Sequence, residues 1–306
     1  MRKFFYCVDV GGTDIKGGVI DESYKIICTD KISSSTIKSN QSLKNTIIQL
    51  LSILEKKSKM PIESCSGIGI GLPGLVNQFK GRIEHLPNLK ISKYDIVDDL
   101  KKIFNVPIKI ANDAELALLA EHRLGSGKNQ ENFALVTLGT GLGLGLMIDD
   151  KPLRSILPFS SEFGHNLSNP NGDSLESLVS AKALLEQIQT ALINNKDSKL
   201  WSCQSEKGID LKGFFNVIES DETARLVFDT YISNLGRCLV NLYNIFTPSV
   251  IVIGGGISQQ GKKLTKPLET FVNNNIFLKN INLKTKIVPA TFLNDAGIIG
   301  ARCLFN

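Results

Sequence analysis

The chain has no C-x-x-C pair. Its six cysteines, Cys7, Cys28, Cys65, Cys203, Cys238 and Cys303, are scattered through 306 residues, a spacing that excludes a zinc ribbon and a thioredoxin-like redox centre. Buried, reduced thiols remain as the reading, and they suit a cytoplasmic protein. Long apolar runs are missing too: the uncharged stretch of residues 133–148 is shorter than a bilayer requires and is interrupted by Thr and Gly. The opening MRKFFYCVDVGG has a basic pair but neither the apolar core nor the small-residue cleavage site of a secretory signal. It reads as a first strand, and the sequons at Asn40 and Asn166 read as chance. Charge of one sign is nowhere concentrated: 35 Lys and Arg against 30 Asp and Glu leave a net +5 with no basic stripe, which argues against nucleic acid as a partner.

What remains is an ordinary globular composition, 42% hydrophobic and 21% charged. At about 150 residues per domain, the length predicts two domains. Short strand-like runs (FFYCVDV, KGGVID, CSGIGIGL, VPIKIA, FALVTLGTG, GLGLMID, SVIVIGGGI) alternate with helical patterns such as SLKNTIIQLLSILEKK, NDAELALLAEHRLG, SLESLVSAKALLEQIQTAL and GKKLTKPLETFVNN, which predicts α/β layers. VDVGGTDIKGGVID and VTLGTGLGLGLMID both read strand, Gly-Thr turn, strand, Ile-Asp, a weak repeat about 127 residues apart that predicts two related halves facing a cleft.

Each half carries a candidate phosphate hairpin. In the first, Asp9-Val10-Gly11-Gly12-Thr13-Asp14-Ile15-Lys16, the paired glycines let backbone N–H groups approach a phosphate, Thr13 and Lys16 add donors, and Asp9 at the strand end suits a hydrated Mg²⁺. A plain hairpin whose glycines serve the turn accounts for this segment alone equally well. Its repetition at Gly139-Thr140-Gly141 favours a clamp on a nucleotide triphosphate. Gly254-Gly255-Gly256 follows a buried strand and could admit an adenine or ribose, or could merely turn the chain. Two look-alikes are set aside. The run from Gly69 to Gly74 fits G-x-G-x-x-G, but Pro73 spoils the helix that would hold a pyrophosphate. The run from Gly256 to Lys263 ends in Lys where a P-loop needs a hydroxyl.

Asn112-Asp113 at a strand-to-helix junction could be no more than a helix cap. Read functionally, the Asp113 carboxylate can orient an acceptor hydroxyl and take its proton as a phosphate arrives, and the positive end of the helix favours its ionised form. Glu162, His165 and Glu176 lie close in sequence and can hold neighbouring sugar hydroxyls. With no cysteine or second histidine nearby, metal ligation is the weaker account. His85 and His122 read as loop and solvated-helix positions.

DVGGTDIK, NDAE, LGTGLGLG, EFGH and IGGG, in this order and spanning nearly the whole chain, resemble the ROK family of sugar kinases and sugar-responsive repressors. The resemblance implies the actin-like ATPase (hexokinase-type, ribonuclease H-like) α/β fold, with two domains around a cleft. A small domain of residues 1–112 plus 293–306 and a large one of 113–292 are expected. It further implies that Gly12, Thr13, Lys16, Thr140 and Gly141 bind ATP phosphates, that Gly255 lies by the adenosine, and that Asp113 is the catalytic base. Asn88, Asn112, Glu162, His165 and Glu176 would hold the sugar. Many members carry a cysteine-rich zinc motif after E-x-G-H. Here NLSNPNGDSLE has no cysteine, so no structural zinc is expected, and Ser161 replaces the usual Gly before Glu162.

The expectation is therefore an ATP- and Mg²⁺-dependent kinase acting on the 6-hydroxyl of a hexose, with glucose as the first choice. N-acetylmannosamine, another N-acetylhexosamine or a β-glucoside is the alternative acceptor. A DNA-binding repressor is disfavoured because Asp9 leaves little chain ahead of it for a helix-turn-helix, and a silent sugar-binding protein is disfavoured by the retained Asp113. The resemblance also implies a homodimer.

Overall fold

FFYCVDV is apolar on both faces and becomes a central strand, β1 (Phe4–Val10), as suits a strand covered on both sides. It turns into antiparallel β2 (Asp14–Asp21), to which β3 (Ile26–Ser33) is added. Helix α1 (Asn40–Ser58) opens with a capping box between Ser39 and Ser42, stops at Lys59 in the left-handed region, and buries Leu43, Ile47, Leu50, Leu51 and Leu54 along one stripe. Gly17 on β2 makes room for that stripe, since a Cβ there would stand 2.7 Å from Leu54 Cδ1. Next come β4 (Ile68–Leu72), a small antiparallel sheet of β5 (Leu75–Asn77), β6 (Arg82–Leu86) and β7 (Ile91–Tyr94), the short α2 (Ile96–Lys101), β8 (Ile108–Asn112) and α3 (Asp113–Leu124). The main sheet has the order β3-β2-β1-β4-β8, with β1, β4 and β8 parallel.

The computed structural model describes residues 3–154, 162–205, 208–277, 279–281 and 283–306. They fall into two units: the described residues within 1–125, 152–161 and 294–306, and those within 126–151 and 162–293. The first unit runs on to Gly125, so that α3 lies in it with the C-terminal helix (Ala296–Cys303). A Cβ on Gly300 of that helix would overlap the Leu116 carbonyl of α3, and one on Gly69 of β4 would overlap the Ala301 carbonyl. Gly69 and Gly71 of the dismissed G-x-G-x-x-G run are helix-packing positions, Gly71 lying against Leu116 of α3.

In the second unit, β9 (Phe133–Leu138) and β10 (Leu142–Ile148) form an antiparallel hairpin, followed by β11 (Lys151–Pro152), α4 (Glu176–Val179), α5 (Ala181–Asn194), the two-residue strands β12 (Gln204–Ser205) and β13 (Gly208–Ile209), α6 (Leu211–Val217), α7 (Glu222–Phe246), β14 (Val250–Gly254), α8 (Lys262–Asn275) and β15 (Lys286–Pro289). Its sheet, β11-β10-β9-β14-β15, repeats the first in order and, from β10 to β15, in strand direction. The Gly-Thr repeat in the sequence is the local mark of this duplication. One expected helix is two: the chain breaks at Ser180, which is extended and caps α5 through Ala183 N–H. The Ala181 N–H is thereby turned onto the Gly139 carbonyl (2.9 Å).

All six cysteines are free and five are buried, and burial pushes the Cys238 and Cys303 thiols up to about 11, which keeps them as inert core groups. Among the described residues no helix is long and apolar enough to cross a membrane.

Candidate active site

The first hairpin is closed by Gly11, whose N–H donates to the Asp14 carbonyl (3.0 Å). A Cβ on Gly11 would stand 2.8 Å from that oxygen, so the turn itself requires this glycine. Gly12 is different, for nothing lies within 4 Å of where its Cβ would be. Thr13 is exposed at the tip, and its carbonyl accepts from Ser34 N–H (2.9 Å). On β2, Lys16 sits in register with Asp9, donates to the Asn294 carbonyl (3.1 Å) and ion-pairs with Asp295. Asp9 is half-buried at the strand end. Burial pushes its carboxyl above the usual range, and the Lys16 charge opposes that rise.

Asn112 is buried at the end of β8, and its side chain is committed on both sides. Its Oδ1 accepts from Ala114 N–H (2.8 Å) and Glu115 N–H (3.3 Å), and its Nδ2 donates to the Gly74 carbonyl (3.0 Å). Asp113 is thereby set at the first position of α3, exposed, with Oδ1 accepting from Ala114 N–H (2.9 Å). Gly74 has φ +88, and a Cβ there would stand 2.6 Å from the His85 carbonyl and 2.9 Å from Pro87 Cδ. It joins Asn112 to the 3₁₀ turn Pro87–Leu89, which presents Asn88 to solvent. His85 is exposed on β6 rather than in a loop, with Nδ1 2.8 Å from Ser92 Oγ, and His122 lies on α3, half-buried.

The sequence reading overlooked Glu115. This buried carboxylate accepts from Arg154 Nη2 (2.9 Å) and from Gln78 Nε2 (3.2 Å). Nothing in the NDAE motif announces an arginine 39 residues away.

In the second unit, the Gly139 N–H donates to the Gly141 carbonyl (3.1 Å), and Gly139 and Thr140 are exposed. Nothing lies within 4 Å of a Cβ position on Gly139, whereas one on Gly141 would stand 2.6 Å from Glu176 Oε2. Glu176 therefore reaches the hairpin. The 3₁₀ turn Phe163–His165 places His165 between two carboxylates, with Nε2 3.8 Å from Glu162 Oε2 and Nδ1 3.9 Å from Glu176 Oε1. The intervening loop is a polar clasp. Asn169 Oδ1 accepts from Asn171 N–H (2.9 Å), Asn169 Nδ2 donates to Asp173 Oδ2 (2.7 Å), and Ser168 N–H donates to the Asp173 carbonyl (2.7 Å). Ser161 lies outside the described residues.

Gly254 ends β14 beside Thr137 of β9. Gly255, at φ +84, is required by the backbone, because a Cβ would overlap the Leu138 carbonyl, while Gly256 has nothing within 4 Å. The triple glycine is thus a close approach of β14 to the base of the Gly139–Gly141 hairpin, followed by one open position.

The ROK family pattern matches residues 5–306. The glucokinase of Halalkalibacterium halodurans is 30% identical, over 97% of this chain and 93% of its own length. The glucokinase of Thermotoga maritima is 28% identical, over 96% and 94%. In structure, a ROK family glucokinase from Streptomyces griseus, crystallised with glucose and AMPPNP, superposes with a TM-score of 0.84 at 24% identity over 98% of both chains. The fold is that of the ROK sugar kinases, the actin-like ATPase fold.

Proposed function

The chain belongs to the ROK family, and we propose that it is an ATP-dependent hexose kinase in which Asp113 is the general base and the 6-hydroxyl of glucose is the acceptor. The placement of Asp113 carries this reading. Asn112 is held by three hydrogen bonds, so the carboxylate next to it projects from a fixed helix end into solvent, where an acceptor hydroxyl can reach it. Asp113 takes the hydroxyl proton as the sugar oxygen bonds to the γ-phosphorus. The bond from that phosphorus to the bridging oxygen breaks, giving ADP and the sugar 6-phosphate.

The hairpins Gly11–Thr13 and Gly139–Gly141 are the phosphate-binding segments of this reading, Gly12 and Gly139 being the positions where nothing stands in the way of a close approach, and Lys16 adds positive charge. Gly256 is the open position of the triple glycine, on the side proposed for the adenosine. Glu162, His165 and Glu176 hold sugar hydroxyls, with Asn88 as a further contact and the remaining Nδ2 hydrogen of Asn112 as a further donor. Asp9 is the residue that would hold Mg²⁺, through water. A single half-buried carboxylate at the end of the strand that leads into the Gly11–Thr13 hairpin fits an ion that keeps its waters and binds phosphate oxygens. That ion offsets phosphate charge when bound.

The identity to a glucokinase supports glucose as acceptor. The test is ADP release with Mg-ATP against glucose, mannose, fructose, N-acetylglucosamine, N-acetylmannosamine and a β-glucoside. Glucose is expected to turn over fastest. N-acetylmannosamine in first place would make the protein an amino-sugar kinase, and no sugar-dependent ADP with any of them would overturn the kinase reading. Zinc-selective chelators are expected to leave the melting temperature unchanged, since the 168–173 loop has no cysteine and carries hydrogen bonds of its own. A large fall in melting temperature would reveal a metal that this reading lacks.

A further inference from the structure

Glu115 follows the proposed base by two residues, and its side chain turns the opposite way, into the protein: it is buried where Asp113 is exposed. A buried carboxylate is costly unless it is paired and hydrogen-bonded. Here the compensation comes from Arg154, whose Nη2 lies 2.9 Å from Glu115 Oε1 and 3.4 Å from Gln78 Oε1, while Gln78 Nε2 donates to Glu115 Oε2 (3.2 Å). The Arg154 guanidinium also lies over the exposed Phe79 ring, 5.8 Å from its centroid. The Glu115 N–H, in turn, donates to Asn112 Oδ1. The first turn of α3 is therefore gripped on both sides of Asp113, by Asn112 through Gly74 and by Glu115 through Arg154 and Gln78.

We propose that Arg154 is a positioning residue for phosphoryl transfer, acting through Glu115 to hold the turn that aims Asp113. The proposal rests on Asp113 being the base. Without Arg154, Glu115 keeps a buried charge with only an amide to meet it, so the favoured response is for the side chain to leave its site or take up a proton. Either response loosens the peptide units that carry Asp113. Misplacement of a reacting group by about 1 Å costs up to about 100-fold in rate, so the expected loss lies in turnover and not in nucleotide binding.

The experiment is a kinetic cycle on the full chain with the best sugar of the panel. Arg154→Ala is expected to lower kcat at least about 10-fold with the KM for ATP unchanged, and to lower the melting temperature while leaving the protein folded at the assay temperature. Arg154→Lys, which keeps a cation within reach, should recover most of the loss. In the Glu115→Gln background the Arg154→Ala substitution should cost much less, because the neutral amide no longer needs a cation. Wild-type kcat in Arg154→Ala, or equal losses with and without the Glu115 charge, would overturn the proposal. Asp113→Asn measured alongside separates the two ideas. If it retains turnover, the base assignment fails and this inference with it. If it collapses while Arg154→Ala does not, this inference alone fails.

Discussion

Asp113→Asn is expected to lower kcat by about 100-fold or more while leaving the fold intact, the scale of effect seen when a positioned general base is removed. The amide matches the carboxylate in shape, and its oxygen can still accept from Ala114 N–H, as Asp113 Oδ1 does at 2.9 Å. Helix α3 is capped by the neighbouring Asn112 rather than by Asp113, so the substitution removes no cap. What it removes is the only thing the mechanism asks of this side chain, a lone pair basic enough to receive the hydroxyl proton. The KM for the sugar should change far less than kcat. Near-normal turnover, measured as sugar-dependent ADP release, would sink the assignment of Asp113 as the base. A large rise in KM with kcat preserved would recast Asp113 as a binding residue only.

Much of this site is legible in the sequence because it is local. A Gly-Thr turn between two strands, or an Asn at a strand-to-helix junction, needs only its immediate neighbours to take its conformation, and both hairpins and the Asn112 cap occur where the residues place them. The partners of that machinery are not legible, because they are set by packing across long sequence separations. Arg154 meets Glu115 across 39 residues. Gly74, part of a run that reads formally as a dinucleotide loop, instead supplies the carbonyl that fixes Asn112. The break at Ser180 likewise follows from tertiary hydrogen bonding: a continuous helix would withdraw the Ala181 N–H from Gly139, and the apolar periodicity on either side of Ser180 is blind to that bond.

The same non-local logic makes Gly300→Val the substitution with the largest expected effect on stability. In the C-terminal helix the position has no unusual backbone and reads as an ordinary small residue within AGIIGAR. In the fold it is where that helix meets α3 backbone to side-chainless backbone, and even a Cβ would overlap the Leu116 carbonyl carbon and oxygen. A peptide group cannot rotate away as a side chain can, so the two helices must separate along their contact. Overpacking of a core costs about 1–3 kcal/mol where side chains can yield. Against a peptide group the upper end or beyond is expected, a fall of several degrees in melting temperature for a domain of this size. Gly256→Ala is the control, since nothing lies within 4 Å of its Cβ position and its melting temperature should match the wild type. The loss should also reach function, because α3 carries Asp113 at its first residue and Leu116 one turn later. Residual folded Gly300→Val, assayed below its melting temperature, is therefore expected to show reduced kcat as well. Wild-type stability in Gly300→Val would mean that the two helices do not pack as closely as the glycine implies, and full turnover in the folded fraction would show that the first turn of α3 is held by Asn112 and Glu115 independently of the helix behind it.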